Sequence, residues 1–191
     1  MRIIGGRAKG RKLSVVKGKT IRPTPDNVKE SIFSMIQGHV EGKTVLDLFA
    51  GTGNLGLEAL SQGAEKAIFV EKDKTSLRTL MKNRNLCGFQ DQAEILSLDA
   101  EVALKVLRRR AERVDLVFID PPYGSGYVEK TLRLINAHDM VTDGGLIVAQ
   151  HRSGENIAPP GEKLSLQKRK RHGDTMISIF QWSSSLVSLG V

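Results

Sequence analysis

Cysteine is nearly absent from this chain of 191 residues, Cys87 being the only one. A single thiol excludes an internal disulfide framework and any multi-cysteine metal or iron–sulfur centre. A reducing, cytoplasmic setting is the expectation. Long apolar runs are lacking too. None approaches the roughly 18 residues that a membrane helix needs, so no membrane association is expected. The opening stretch from Met1 to Lys9 has one pair of adjacent aliphatic residues, Ile3 and Ile4, which is not the pattern of a secretory signal. The four histidines (His39, His138, His151 and His172) have no metal-ligand spacing, and no metal is expected.

What is present reads as one globular unit with a basic end. Apolar residues make up 40% and charged residues 26%, which is ordinary for a folded domain. The net charge of +8 is unevenly placed: residues 1–40 contribute +7, residues 41–149 contribute −2, and residues 150–191 contribute +3. A basic arm beside a near-neutral body reads as a platform for a polyanion, the plainer reading being a flexible charged tail. In the arm, Arg2, Arg7, Lys9, Arg11, Lys12 and Arg22 are punctuated by glycines and short aliphatic pieces. That mixture predicts brief strands joined by glycine turns, a hairpin able to follow a phosphate backbone. Thr24 reads as an N-cap with Pro25 at the first helical position. Val28, Ile32, Phe33, Met35 and Ile36 then supply the apolar stripe of a helix packed on the body.

From Lys43 onward the chain alternates. Apolar runs at 44–49, 66–71, 93–98, 114–119 and 146–150 read as strands, and helical spacings separate them. Residues 163–170 and 175–182 read as a closing hairpin. The fold class expected is α/β: a doubly wound, seven-stranded, mostly parallel sheet with an antiparallel edge hairpin at the C-terminus. The expected division is a basic extension over 1–40, a catalytic body over 41–182 and a frayed tail over 183–191.

Two motifs carry chemistry. Gly51-Thr52-Gly53-Asn54-Leu55-Gly56 follows the first strand of the body and opens a helix. Its spacing, with Glu71 after the next strand, fits a dinucleotide site. Asp47 opposes that reading, because a carboxylate at the mouth of the loop repels a pyrophosphate and suits a cationic ligand such as a sulfonium bearing an ammonium group. Asp47 can also be read as a buried acid capping the loop through backbone N–H groups. Asp120-Pro121-Pro122-Tyr123 ends the fourth strand, at the edge where open α/β sheets bind ligands. The prolines remove two N–H donors. An acceptor-rich pocket remains, suited to an exocyclic amine, and Tyr123 offers a face on which a base can stack.

With Asp47-Leu48-Phe49-Ala50-Gly51-Thr52-Gly53 and Asp120-Pro121-Pro122-Tyr123, the chain resembles the class I, S-adenosylmethionine-dependent amino-group methyltransferases. More narrowly, it resembles the bacterial RsmD-like guanine-N2 methyltransferases of small-subunit ribosomal RNA. The likeness extends to the Arg2–Gly10 opening, the Arg22-Pro23-Thr24 entry, the Leu55–Ala64 stretch and Gly173-Asp174-Thr175. Members often have Ser or Ala where Thr52 and Asn54 stand, and Tyr where His172 stands. The resemblance implies that Glu71 binds the cofactor ribose and Asp99 the adenine amine. It places Asp47 and the Gly51–Gly53 backbone at the methionine end, with Phe49, Ala50, Thr52, Lys72 and Ala100 in the same pocket. Asp120 and Pro121 would orient the target amine beside Pro122, with Tyr123 on the base. Arg2, Arg7, Lys9, Arg11, Lys12, Arg22 and Thr24 would contact RNA. The implied partner of this monomer is 16S ribosomal RNA or a small-subunit assembly particle. As helix-start acids, Glu71 and Asp99 also have a purely structural reading. The competing functions are a DNA amino-methyltransferase, which would need a separate target-recognition domain, an RNA-binding protein with a vestigial cofactor fold, and an NAD enzyme.

Overall fold

The computed structural model describes residues 1–16, 25–122, 124 and 126–184. Among them the elements run α1 (Asp26–Met35), β1 (Thr44–Asp47), α2 (Asn54–Ser61), β2 (Lys66–Val70), α3 (Lys74–Cys87), β3 (Ala93–Leu96), α4 (Ala100–Arg109), β4 (Val114–Ile119), α5 (Tyr127–His138), β5 (Val141–Arg152), β6 (Leu164–His172) and β7 (Thr175–Trp182). The strands form one seven-stranded sheet in the order β3-β2-β1-β4-β5-β7-β6. The first five are mutually parallel, and β7 runs antiparallel between β5 and β6. No helix among the described residues is long and apolar enough to cross a membrane.

The alternation of side chains along the strands builds two cores. Val45, Ala67, Phe69, Leu116, Phe118 and Val148 face α1, α2 and α3 together with Ile32, Leu57 and Leu80. Leu46, Ile68, Val70, Val117, Ile119 and Ile147 face the other way, against Leu104 and Leu107 of α4 and Leu132 and Ile135 of α5. Both faces of the central parallel strands are covered, which is why stretches such as Leu116–Ile119 read as apolar runs.

Helix α1 starts one residue later than the sequence suggests. Pro25 is the cap residue, with φ −57° and ψ 149°, and not the first helical residue. Its carbonyl accepts the amides of Val28 and Lys29, each at 3.0 Å, and this first turn needs no donor from Pro25 itself. The Thr24 cap lies outside the described residues.

The N-terminal segment is docked on the body. The isolated bridge between Arg2 and Lys12 closes its hairpin, and Ile3, Ala8 and Leu13 enter the same core as Ile32 and Leu60. The fit is close: a Cβ at Gly6, whose φ is +69°, would lie 1.6 Å from the Ser61 carbonyl oxygen. Glu58 of α2 accepts the amides of Ile4 (2.9 Å) and Gly5 (2.8 Å). Lys29 of α1 is fully buried beside it, 3.1 Å from the Glu58 carboxylate. The Lys29 ammonium also donates to Asn54 Oδ1 at 2.9 Å and to the Arg2 carbonyl. A buried charge this well satisfied ties the arm, α1 and the start of α2 into one body.

Candidate functional site

The strand order reverses between β1 and β4, and the crevice of an open α/β sheet lies at that point, beyond the carboxyl ends of the strands. A cleft of about 1110 Å³ occupies it. Asp47, Phe49, Ala50, Gly51, Thr52, Glu71, Lys72, Asp99, Ala100, Asp120, Pro121 and Pro122 all line this cleft.

Asp47, the last residue of β1, is 1% exposed. Its Oδ2 accepts the Gly56 amide at 3.0 Å, so the acid does cap the glycine loop from within. Burial pushes its pKa up to about 7, against the pull of the Gly56 hydrogen bond, and the nearby charges of Asp120 and Glu71 push the same way. One residue thus holds the loop and presents an acid that gains from a neighbouring cation.

The three glycines have separate reasons. Gly51 takes φ +54° and a Cβ there would meet nothing within 4 Å, so a ligand can come close to this backbone. Gly53 does not line the cleft; it starts α2 at φ +90°, where a Cβ would strike Leu80 at 2.4 Å. At Gly56 a Cβ would lie 2.3 Å from the Phe69 ring, so the missing side chain lets α2 settle on β2. Glu71 closes the loop from the other side. It accepts the Gly51 amide at 2.8 Å with one oxygen and the Asp73 amide at 2.7 Å with the other. Each oxygen keeps a second lone pair for a ligand hydroxyl. The N-cap of α3 is Asp73, whose carboxylate accepts from Ser76.

Asp99 is the N-cap of α4, accepting the Glu101 amide at 3.1 Å. It also pairs with Lys72 at 2.9 Å. The Lys72 hydrogen bond, and then that of Glu101, hold its carboxyl below the usual range. Beside this pair Phe49 and Tyr127 meet at 5.9 Å between ring centroids, and with Leu98 they give the cleft an apolar, aromatic wall.

Asp120 follows β4 directly, half-buried, and Pro121 behind it is buried. Tyr123 lies outside the described residues. Two residues that the sequence did not single out complete this end. Tyr127 opens α5, and Gln150 of β5 is 2% exposed with no partner among the described residues for its amide Nε2. The β6–β7 turn, His172 to Thr175, also lines the cleft. Their convergence depends on the sheet order, which no spacing in the sequence records.

The basic residues of the arm do not line the cleft, although Met1, Pro25 and Asn27 near them do. Arg2, Arg7, Lys9, Arg11 and Lys12 are exposed. Arg2 pairs with Asp26 at 3.4 Å. Arg7 lies over the Phe89 ring at 4.5 Å and reaches Gln92, and Arg11 donates to the Leu86 carbonyl. Arg22 lies outside the described residues.

A protein family described as Conserved hypothetical protein 95 (Cons_hypoth95) matches residues 1–181. A Bacillus subtilis (strain 168) protein, YlbH, named on a provisional basis as an rRNA methyltransferase, is 38% identical over 181 residues, covering 95% of this chain and 98% of that protein. A Haemophilus influenzae protein named Ribosomal RNA small subunit methyltransferase D is 34% identical over 182 residues, covering 95% and 93%. The solved Escherichia coli structure of yhhF, titled provisionally as a methyltransferase, is similar with a TM-score of 0.84 at 31% identity, covering 97% of this chain and 99% of that one. The chain belongs to the Conserved hypothetical protein 95 family.

Proposed function

We propose that this family member transfers a methyl group from S-adenosyl-L-methionine to the exocyclic N2 amine of a guanine in 16S ribosomal RNA. It acts as a cytoplasmic monomer on that RNA or on a small-subunit assembly particle. One observation carries the reading: Asp47, Glu71, Asp99 and Asp120, at or just beyond the ends of four parallel strands, all line one cleft. The chain that holds them is similar over 95% of its length to a protein named Ribosomal RNA small subunit methyltransferase D.

The residues present suit that cofactor. Asp47, Asp120 and Glu71 crowd negative charge around a buried acid, which a cationic ligand relieves. Glu71 binds the ribose hydroxyls through its remaining lone pairs, Asp99 and the aromatic wall take the adenine, and Asp47 with the Gly51 backbone takes the methionine end. Lys72, Ala100 and Thr52 border these contacts. When bound, the cofactor supplies an activated methyl group on a sulfonium.

The protein's own task is alignment. The guanine N2 lone pair is delocalised into the ring. Asp120 and the Pro121 carbonyl accept from the amine, hold it at the cleft and stabilise positive charge as it grows on nitrogen. Tyr123 stacks on the base. Taking a base out of its stack costs a few kcal/mol, offset by stacking and by phosphate contacts of the basic arm. Cys87 takes no part: it is buried in the core, and burial pushes its thiol pKa up.

Methyl-labelled cofactor incubated with the purified chain and small-subunit RNA, small-subunit particles or duplex DNA tests the reading, with nucleoside analysis of the product. The expected label is in N2-methylguanosine from RNA or particle. Label in adenine, or in DNA alone, contradicts it and favours a DNA amino-methyltransferase.

A further inference from the structure

A second cavity, about 270 Å³, adjoins the main cleft and shares Pro121, Pro122, Tyr127 and Gln150 with it. Its far wall is the loop after β5, with Glu155 and Ile157. This loop is held in place. Ser153 donates to the Asp174 carbonyl at 2.9 Å. Arg169 of β6 donates to Asn156 Oδ1 at 3.3 Å and to the Ile157 carbonyl. Glu155 Oε1 accepts the Gly124 amide at 3.2 Å, which joins the loop to the segment that follows Pro122.

Two features point to a ligand with a defined polar edge. Gln150 is 2% exposed, and its Nε2 is buried with no hydrogen-bond partner among the described residues. An orphaned buried donor is costly unless something pairs with it. Gln150 also follows Ala149, which is registered beside Ile119 on β4, so Gln150, still within β5, stands next to the point where Asp120 leaves the sheet. Glu155 is half-buried, and it contributes a carboxylate whose Oε2 has no hydrogen bond to a described residue.

Resting on the function proposed above, we infer that this second cavity is the target-base pocket, and that Gln150 and Glu155 read the Watson–Crick edge of guanine. That edge presents three groups in a row: the N2 amine, the N1–H donor and the O6 acceptor. Asp120, which lines the main cleft next to the shared Pro121, takes the amine from that side. Glu155 accepts N1–H, and Gln150 donates Nε2–H to O6. Adenine presents the reverse polarity at the last two positions, an acceptor at N1 and a donor at N6. It would set its N1 lone pair against a carboxylate and its N6 donor against the Gln150 amide donor. The pocket therefore selects guanine before any methyl moves, by leaving buried polar groups unpaired for the wrong base.

The test uses 2,6-diaminopurine, which keeps the N2 amine but reverses N1 and the 6-position. The nucleotide methylated by the wild type is mapped, and particles are rebuilt from ligated RNA with guanine or 2,6-diaminopurine at that position. Wild-type kcat/KM is expected to favour guanine by about 10²-fold or more. Glu155→Gln and Gln150→Leu are each expected to narrow that preference by about tenfold or more. S-adenosylhomocysteine affinity is measured for Glu155→Gln, and the expected result is a wild-type value, because Glu155 does not line the cofactor cleft. Unchanged base preference in both variants, or loss of guanine and 2,6-diaminopurine transfer in equal proportion, overturns the assignment. Absence of N2-methylguanosine from the wild type on unsubstituted particles overturns the proposed function and the pocket with it.

Discussion

Asp47 combines two demands that conflict until a ligand arrives. Its carboxylate is needed under the Gly56 amide, yet burial and two acidic neighbours raise its pKa to about 7. The native state therefore keeps a proton that the unfolded chain releases near its ordinary pKa of 3.8. Stability is expected to fall as pH rises from about 4 to about 7, by roughly 4 kcal/mol at most. Asp47→Asn removes this slope, and urea titrations at pH 5 and pH 8 check it: the wild type loses stability between them and the variant does not. A cation binds the ionised form better, so S-adenosylmethionine affinity is expected to rise through the same window. Calorimetry across pH 5 to 8 measures that rise, and a flat profile contradicts the pairing of Asp47 with the methionine end. At Gly56 the demand is steric. Gly56→Ala drives a methyl into the Phe69 ring at 2.3 Å, with an expected loss of about 1–3 kcal/mol read as a lower urea midpoint.

Among the elements, the strands were legible because five of them are parallel and largely covered on both faces, which leaves apolar runs such as Leu116–Ile119. The glycine loop was legible for a related reason: Gly53 and Gly56 are fixed by backbone and packing, and such constraints leave a spacing. The joint between the arm and the body left no such trace. Glu58 and Lys29 read as ordinary charged helix residues, yet both are 0% exposed and each satisfies partners on other elements. Nothing in the sequence marks Gln150 and Glu155, because their neighbours come from β4 and from the segment after it, not from nearby sequence. Lys29→Met leaves the Glu58 carboxylate buried without its cation. The expected cost is about 3–5 kcal/mol, seen in the urea midpoint. Because Lys29 also holds Asn54 at the start of α2, cofactor affinity should fall with it; unchanged affinity in the folded variant would separate the arm from the loop.

Across the whole molecule, six acids among the described residues line the cleft (Asp47, Glu71, Asp73, Asp99, Asp120 and Asp174). Exposed cations stand on the arm, on α3 and α4, and on β6, where Lys168, Arg169, Lys170 and Arg171 follow one another along the sheet edge. Neutralising Arg7, Arg11 and Lys12 is expected to weaken RNA binding and to flatten its salt dependence by about 0.7–0.9 in log–log slope for each phosphate contact removed. An unchanged slope, measured by filter binding between low and physiological salt, would return these residues to anchoring: Arg7 and Arg11 already rest on Phe89 and the Leu86 carbonyl.

In the function proposed, one cleft holds the cofactor on Asp47, Glu71 and Asp99 while Asp120 presents the amine. The most direct measurement is the rate of labelled methyl transfer by Asp120→Ala to its RNA or particle, at cofactor concentrations shown by calorimetry to saturate the variant. A fall of about 10²-fold or more with cofactor binding retained is the predicted result. Transfer to guanine N2 at the wild-type rate would contradict it.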